Sequence, residues 1–391
     1  MAEMAEKEDF KFDFDHYDDE SAYSPYGRWE EMRSKCPVAW SEKNGGYFIL
    51  SKYNDISEAI RNTGTFSSAG GVTIPPKPVP KLPPNEFDPP VHGMYRRIVN
   101  PLFSPERVAE NRPWMRAIAR DYTQRMLKQD AFDVSIDCAM QVTQDVTQRL
   151  LGIVDAPDDM KRCAEDLVLM RGNAEESGAK LVELLNLEID KRRTAPGDDV
   201  ISTLLSASYD GKRPLTDHEI VHTSLLILLA GLDTTTSAIG GAVWYMLKHP
   251  EIREQLLGAD QRTWRLALDE FVRWTSPAQG TARTLAHETE VNGCPMHSGE
   301  RIFFLVASGN RDEEEFPNPD EIVIDRFPNR HLAFGMGPHR CLGSHVAKAI
   351  LQDVLEGLLE GLHNFRIKSD DDVVWEASNV RGIRSLPVVR I

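Results

Sequence analysis

The 391-residue sequence has few cysteines, no excess of positive charge and no long run of apolar residues. Its five cysteines are an odd number, lie far apart and include no Cys-x-x-Cys pair. This usage argues against a disulfide scaffold or a cysteine zinc site and is typical of a reduced protein. Acidic residues outnumber Lys and Arg by 61 to 45, which gives a net charge of −16. That charge argues against nucleic acid or an anionic membrane as a partner.

The features of a secreted or membrane-anchored chain are also missing. The first 20 residues are polar and acidic, without the basic and apolar segments of a signal peptide. We expect residues 1–20 to form a flexible acidic arm and residues 21–391 to form a single domain. The most apolar stretch, residues 224–232, ends at Asp233, whereas a membrane span requires about 20 residues. The sequence therefore predicts a cytoplasmic protein whose most apolar helix is buried.

Apolar residues recur at helical spacing over most of the chain. A capping box, Thr216 to Glu219, begins a long helix that extends to about Lys248. The other main predicted helices cover residues 53–61, 114–127, 142–151, 158–170, 179–193, 199–208 and 262–274. Strand patterns are short, at residues 47–50, 288–291, 301–307 and 385–391. The sequence thus predicts a mainly α fold with a small β portion.

Residues 334–343, Phe-Gly-Met-Gly-Pro-His-Arg-Cys-Leu-Gly, lead into an amphipathic segment at 344–362. Gly335 and Gly337 permit backbone angles that a Cβ forbids, so this loop can fold tightly against a flat group. Cys341 lies at the predicted start of a helix, where unpaired N–H groups and the helix dipole favour the thiolate. A thiolate is a soft metal ligand and the proximal ligand of haem iron in oxygen-activating enzymes. Without its neighbours, Cys341 would be read as an ordinary buried cysteine.

This ten-residue run resembles the haem-binding loop of the cytochrome P450 family, since its Phe, spaced glycines, His, Arg, Cys and final Gly stand in the family's order. The resemblance extends over nearly the whole chain; residues 310–312, 316–320 and 331–334 follow the pattern of soluble bacterial members. It implies the cytochrome P450 fold, with heme b (iron protoporphyrin IX) between the long central helix and the helix after the cysteine loop. Cys341 would ligate the iron, and Phe334 would pack against the ring on the cysteine side.

The two haem propionates require cationic or hydrogen-bonding partners. The resemblance assigns this role to His92, Arg96, Arg283 and His339. His92 and Arg96 are four residues apart and therefore share a helix face. Any one of these residues, taken singly, would more often be a surface residue.

The long helix carries an acid and an alcohol in its apolar middle, Asp233 and Thr234. Burying an aspartate there costs free energy, which suggests that its carboxylate has a function. A threonine hydroxyl in a helix can bond the carbonyl four residues earlier and loosen that helical turn. Without the cysteine loop, these residues would be read as a local polar kink. The resemblance implies that they are the catalytic acid–alcohol pair, with Thr234 on the dioxygen side and Asp233 helping to relay protons.

Glu270 and Arg273 lie one helical turn apart and face the same side. An exposed pair of this kind contributes little. The resemblance makes them the family's Glu-x-x-Arg motif, with Arg326 as a third member. In that interpretation the three residues are structural and support the haem loop from behind.

The resemblance also places a mostly apolar wall around the substrate, with Gln279 as its polar member. The wall comprises Val79, Leu82, Leu226, Leu229, Ala230, Ala278, Gln279 and Val380, together with Thr234. Ordinary core packing would explain the same residues. Residues 12–15, 44–46 and 231–234 look like those of camphor-hydroxylating relatives, but no tyrosine lies between Phe66 and Asp88, where those enzymes bind the substrate ketone. We therefore do not expect camphor to be the substrate of this protein.

Taken together, these residues predict a haem-thiolate monooxygenase that inserts one oxygen atom from O2 into a small or medium apolar substrate, either terpenoid, aromatic or steroid-like. We expect no flavin or nucleotide domain, so electrons would come from a ferredoxin and its NAD(P)H-dependent reductase. The ferredoxin would dock on a basic patch formed by Arg97, Arg107, Arg340 and Lys348. Two alternatives are a peroxide-driven haem-thiolate oxidase and a non-catalytic haem protein, either a gas sensor or an electron carrier. The acid–alcohol pair argues against the first.

Overall fold

Helices dominate residues 7–76, 80–168 and 173–391, the parts of the chain that the computed structural model describes. In chain order the helices are α1 (Asp19–Tyr23), α2 (Tyr26–Lys35), α3 (Tyr53–Ala59), α4 (Val91–Val99), α5 (Pro105–Met126), α6 (Met140–Leu151), α7 (Asp158–Val168), α8 (Ala174–Thr194), α9 (Val200–Ser206), α10 (Asp217–Lys248), α11 (Pro250–Leu256), α12 (Gln261–Thr275), α13 (Val306–Gly309) and α14 (Ser344–Leu359). The mainly α prediction is confirmed.

The strands are short and form several small sheets. In chain order they are β1 (Val38–Ser41), β2 (Tyr47–Leu50), β3 (Phe66–Ser67), β4 (Ala131–Asp133), β5 (Ser208–Tyr209), β6 (Arg213–Pro214), β7 (Thr281–Leu285), β8 (Thr289–Val291), β9 (Cys294–Met296), β10 (Arg301–Phe304), β11 (Phe365–Ile367), β12 (Val374–Ala377), β13 (Arg381–Ser385) and β14 (Pro387–Arg390). Within the described residues, the largest sheet has five strands in the order β1-β2-β10-β7-β3. Its β2–β10 pair is parallel, and the other pairs are antiparallel.

Helix α10 is the axis of the helical core, and its start is fixed by the predicted capping box. The Glu219 N–H donates to the Thr216 hydroxyl at 3.3 Å, and the Thr216 N–H donates to the Glu219 carboxylate at 2.7 Å. Two orphan donors are thereby satisfied. Among the described residues, α10 is the one helix long and apolar enough to cross a membrane, but 72% of its most apolar window is buried inside the protein. Such all-round burial is typical of a core helix.

Neighbouring elements approach α10 closely on several sides. Helices α6, α12 and α14, strand β13 and a π-helical turn over Val134–Ala139 all pack against it. A Cβ on Gly241 would lie 2.7 Å from the Thr275 side chain, so this close approach to α12 requires glycine. Helix α14, which follows the cysteine loop, packs against both α5 and α10. The cysteine loop is thereby anchored beside the central helix.

The predicted acidic arm is wrong for residues 7–20; residues 1–6 lie outside the described part of the chain. The Phe12 N–H donates to the Trp40 carbonyl at 2.9 Å, and the Trp40 N–H donates to the Phe10 carbonyl at 2.7 Å. Phe14 is fully buried. These hydrogen bonds hold the segment along β1. Because alternate side chains of an extended chain point to opposite faces, Phe14 is buried while its acidic neighbours remain accessible.

Candidate active site

The loop before α14 presents Cys341 at the end of a hydrogen-bonded turn. The Gly335 N–H donates to the Leu332 carbonyl at 2.7 Å, and the Cys341 N–H donates to the Phe334 carbonyl at 2.7 Å. Gly335 and Gly337 have φ angles of 63° and 65°, in the left-handed region that favours glycine. A Cβ on either glycine would meet its neighbours at ordinary contact distance. The glycines are therefore required by the turn's backbone conformation.

The Cys341 side chain is accessible and at the same time close to many protein atoms. Its side chain is exposed, yet burial among protein atoms raises the pKa of its thiol, while the Gly343 N–H, Arg96 and Arg340 act in the opposite direction. The expectation that the helix start alone would favour the thiolate is thus corrected: burial outweighs those groups in the free thiol. Binding a metal ion deprotonates a thiol outright. Cys341 is therefore accessible to a ligand although protein atoms surround it.

Three elements bring four cationic or cation-capable side chains together near Cys341. The rings of His92 on α4 and His339 in the cysteine loop lie 4.1 Å apart. Arg283 on β7 is buried, and its guanidinium donates to the Thr281 hydroxyl at 2.8 Å. Arg96 lies close enough for its charge to act on Cys341. We call His92, Arg96, Arg283 and His339 the cationic cluster.

The cationic cluster has too little negative charge of its own. Burial, with added repulsion from Arg96 and Arg283, lowers the pKa of His92 to about 4. Burial lowers the pKa of Arg283 to about 10. The carboxylate that opposes both shifts is Asp88, which accepts hydrogen bonds from the Ser67 hydroxyl and the Ser68 N–H at 2.5 and 2.8 Å. Within the described residues, neither arginine of the cluster forms an ion pair.

This donor set fits a haem. Its two propionates would supply the carboxylates that the cationic cluster lacks, and the accessible Cys341 sulfur would supply the iron ligand. His339 also lies 3.3 Å from the Ser68 hydroxyl, which orients its ring. Phe334 is half-buried and packs against the main hydrophobic core.

One stripe of α10 remains accessible although the helix is buried elsewhere. Ala230 is exposed, and Leu226, Leu229 and Thr234 are half-buried. These residues recur at the spacing that places side chains on one helix face. These four residues form an accessible stripe, the α10 stripe, on a helix that is otherwise mostly buried.

The acid–alcohol pair has two separate sets of partners. The Thr234 hydroxyl donates to the Ala230 carbonyl at 2.9 Å. The Asp233 carboxylate is buried and accepts both Nη groups of Arg384 on β13, one in a very short contact and one at 3.0 Å. Burial raises the pKa of Asp233, and Arg384 opposes that shift. Sequence reasoning missed Arg384; a buried aspartate predicts a cationic partner, but nothing local identifies which one.

The prediction that Gln279 faces the substrate is corrected. Gln279 is fully buried, and its amide nitrogen donates to the backbone carbonyls of His16 and Ser378 at 3.0 and 2.8 Å. Its polar group therefore holds the N-terminal and C-terminal segments together. Of the other predicted wall residues, Leu82, Ala278 and Val380 are half-buried, and the last two are joined by an antiparallel bridge. Val79 lies outside the described residues.

Glu270, Arg273 and Arg326 form one buried ion network. Arg273 donates to both carboxylate oxygens of Glu270 at 2.8 and 2.9 Å, and Arg326 donates to Glu270 at 3.0 Å. Arg273 also donates to the backbone carbonyls of Asn310 and Pro319. Because Glu270 and Arg273 are fully buried, the exposed-pair interpretation does not apply. The network ties α12 to the segment that leads into the cysteine loop.

The predicted basic patch is largely neutralised. Arg97 pairs with Asp210, Arg107 pairs with Glu110 and Asp198, and Lys348 pairs with Asp269. Arg340 is exposed and forms no ion pair within the described residues. Basic side chains, Lys348 among them, also line a cavity of about 630 Å³ between α5, α12 and α14; the others are Arg112, Arg262, Arg265 and His345, and Arg112 is paired with Asp353. We call this cavity the basic groove.

Comparisons with known proteins agree with this geometry. The family model described as "Cytochrome P450" matches residues 169–259 and 264–383. The chain is 32% identical to a steroid C26-monooxygenase of Mycolicibacterium smegmatis, over 95% of this chain and 94% of that protein. It is 31% identical to cytochrome P450-terp of Pseudomonas sp, over 95% and 94% of the two chains. The crystal structure of CYP109E1 from Bacillus megaterium in complex with testosterone superposes with a TM-score of 0.83 at 26% identity, covering 95% of this chain and 99% of that one.

Proposed function

The chain belongs to the cytochrome P450 family and is a P450 monooxygenase, and on that premise we propose that it oxygenates apolar molecules of terpenoid, aromatic or steroid size. The observation that carries the proposal is the α10 stripe, in which Leu226, Leu229 and Ala230 are accessible inside an otherwise buried helix. Apolar, partly accessible side chains in a protein interior are typical of ligand pockets. Relatives named for steroid oxidation and a neighbour holding testosterone add support.

We assign the cofactor contacts as the donor set suggests. Cys341 would hold the iron of heme b, and His92, Arg96, Arg283 and His339 would hold its propionates. When bound, haem would supply the activation of O2, and the Cys341 thiolate would donate electron density to its iron. Phe334 would cover the cysteine side and keep water from the sulfur.

The catalytic roles proposed for this chain's own residues concern protons. Thr234 has a hydroxyl on the accessible α10 stripe, which supports the proposal that it hydrogen-bonds a polar reactant there. Asp233 is adjacent, and its carboxyl can take up and release a proton. Proton transfer by a positioned acid typically accelerates a reaction by about 10²–10⁴-fold.

Substrate recognition is proposed to depend on shape. Gln279 is fully buried and its amide nitrogen donates to backbone carbonyls, so we leave it out of the proposed wall. The remaining wall residues, Leu82, Leu226, Leu229, Ala230, Ala278 and Val380, are all apolar. An apolar pocket discriminates by about 1–3 kcal/mol per methylene. We therefore expect a family of related apolar ligands to bind.

Electrons are proposed to come from a ferredoxin and its NAD(P)H-dependent reductase, docking at the basic groove. Arg262 and Arg265 are exposed and form no ion pair within the described residues, so they stand out against a net charge of −16. Complementary charge of this kind steers an acidic partner to its site. We further propose a cytoplasmic location, with neither nucleic acid nor a membrane as partner.

The deciding experiment is a ligand screen followed by product analysis. Steroids, terpenoids and alkyl-aromatics are added to the ferric protein, and the shift of the iron from low to high spin is followed by absorbance. We expect at least one class to give a saturable shift and an oxygenated product with ferredoxin and NAD(P)H. If only peroxide supports turnover, the oxidase alternative replaces the proposal. If no ligand shifts the spin state, the non-catalytic haem protein replaces it.

A further inference from the structure

Tyr95 lies on α4 between His92 and Arg96, yet its side chain reaches a different element. Tyr95 is buried, and its hydroxyl donates to the Glu219 carboxylate at 2.6 Å. Burial and this carboxylate raise the pKa of Tyr95, so the hydroxyl remains the donor at neutral pH. A hydrogen bond to an ionised acceptor is stronger than one between neutral groups. One side chain thus ties α4 to the first turn of α10.

The Glu219 carboxylate is a fixed acceptor because other donors hold it. Arg213 donates to both of its oxygens at 2.7 and 2.8 Å. The Thr216 N–H and hydroxyl donate to one of these oxygens at 2.7 and 3.0 Å. Arg213 is the largest cause that lowers the pKa of Glu219 to about 2, and Tyr95 and Thr216 act with it against burial. A carboxylate bound in this way does not follow Tyr95, so the bond fixes Tyr95.

Aromatic packing holds the Tyr95 ring as well as its hydroxyl. The ring lies between Phe87 and Tyr209, with centroid separations of 5.5 and 5.3 Å, within the range in which aromatic pairs attract. The neighbouring Arg97 pairs with Asp210 at 3.5 Å, but its side chain is 67% exposed, and exposed pairs contribute little. Tyr95 is therefore the main attachment of this side of α4 to the β5–β6 hairpin and α10.

Helix α4 needs such an attachment because it has only nine residues. Helices of this length are marginal by themselves, so packing determines how they are oriented. Successive residues are about 100° apart around a helix axis, and Arg96 follows Tyr95 directly. A rotation of α4 that moved Tyr95 would therefore turn His92 and Arg96 by the same angle, away from the rest of the cationic cluster.

We propose that Tyr95 is a positioning residue for the haem. By holding α4 on the start of α10 through Glu219, it directs His92 and Arg96 toward the propionates. Tyr95 acts through these two residues, and its role requires no contact with the cofactor. This inference rests on the propionate contacts proposed above for His92 and Arg96.

The first test is the rate at which the ferric protein loses haem to an excess of haem-free globin. Tyr95→Phe keeps the ring and removes the hydroxyl, and it should speed haem loss about 10-fold, the effect of one lost hydrogen bond to a charged group. The matched control is Tyr122→Phe, because the Tyr122 hydroxyl on α5 donates to the Asp145 carboxylate on α6 at 2.8 Å. The control loses the same kind of bond between helices and should lose haem at the wild-type rate.

The second test is the haem reduction potential, combined with a double-mutant cycle. Tyr95→Phe should shift the potential in the same direction as Arg96→Gln, since both variants loosen the cations around the propionates. The double variant should change the logarithm of the haem-loss rate by less than the sum of the two single changes. A tyrosine that only stabilised the fold would lower stability in urea, leave the potential unchanged and act additively with Arg96→Gln.

The two variants also separate this inference from the proposal on which it rests. If Arg96→Gln speeds haem loss while Tyr95→Phe keeps the wild-type rate and potential, the inference is overturned and the propionate contacts stand. If Arg96→Gln also behaves like wild type, the propionate contacts fail and the inference fails with them. Where Tyr95→Phe does not load haem, Arg213→Gln replaces it, because this variant frees the same carboxylate and should show the same two effects.

Discussion

The imidazole rings of His92 and His339 lie 4.1 Å apart, and burial, with added repulsion from Arg283, His92 and Arg96, lowers the pKa of His339 to about 3. Burial is the largest cause, and it acts with Arg96 and Arg283 to lower the pKa of His92 to about 4. His92 is therefore neutral in the folded protein at neutral pH. A neutral imidazole can still donate one hydrogen bond, so the site can hold an anionic group without a charged histidine.

This relationship predicts how the haem-free protein responds to acid. The pKa of His92 is about 4 when folded, against 6.5 as its ordinary value, so the unfolded chain binds a proton first as the pH falls. Stability is therefore fully present above about pH 6.5 and is lost toward pH 4. The loss from this residue is about 2 kcal/mol at pH 5. Urea unfolding at several pH values measures it, and His92→Gln should show a flatter profile; an equally steep profile in that variant would contradict the assignment.

Cys341→Ser should abolish the spectrum of a haem-thiolate. A serine oxygen cannot supply the soft, electron-donating sulfur that gives this spectrum, so the reduced carbonyl complex should lose its long-wavelength Soret band. The matched control is Cys36→Ser, because Cys36 is a half-buried thiol bonded to the Phe10 and Val38 carbonyls. The control should keep the band. Retention of the band in Cys341→Ser would refute the proposed ligand.

Glu270→Gln should strongly destabilise the protein. Burial alone would raise the pKa of Glu270, but Arg273 and Arg326 outweigh it and lower the pKa, so both arginines depend on this carboxylate. Removing one partner of a buried ion network costs about 3–5 kcal/mol. Urea unfolding of the haem-loaded protein measures the loss. Glu31→Gln, which breaks the exposed pair with Lys35, should have no measurable effect; equal losses in both variants would contradict the structural role.

Elements with a strong local pattern were predictable from the sequence. The strand at residues 47–50 and the capping box at Thr216 are confirmed at those positions. The β pattern at 301–307 is a strand only to Phe304, because Val306 begins the short helix α13. In these cases the signal lies within a few residues of the chain, where periodicity and capping act.

Partnerships between distant residues were not predictable in the same way. Arg384 meets Asp233 across 151 positions, and the Gln279 amide meets the His16 carbonyl across 263. A sequence can indicate that a buried carboxylate needs a cation, but only the packing of β13 on α10 selects Arg384. The same limit explains why the prediction of a flexible acidic arm was wrong for residues 7–20. The burial of Phe14 depends on strand β1, which follows it in the chain.

Ala230→Leu should narrow the proposed pocket selectively. Ala230 is the exposed member of the α10 stripe, so a larger side chain would occupy space that a large ligand needs. Steroid-sized ligands should bind about 10-fold more weakly, equivalent to about 1.4 kcal/mol, while small aromatics lose little. Spin-shift titration measures each Kd. Ala195→Leu, on the exposed turn after α8, is the size-matched control; equal effects on large and small ligands would argue against a pocket wall.

Arg265→Glu should slow electron transfer without changing ligand binding. Arg265 lines the basic groove and is exposed, so reversing its charge should replace attraction by repulsion toward the acidic ferredoxin that we propose as the partner. We expect the second-order rate of haem reduction, trapped as the carbonyl complex in stopped flow, to fall about 10-fold at low salt. The difference should shrink as salt screens the charges. Arg366→Glu, on β11 outside the groove, makes the same net-charge change and should have a smaller effect. If both variants slow reduction equally, net charge rather than the basic groove governs docking.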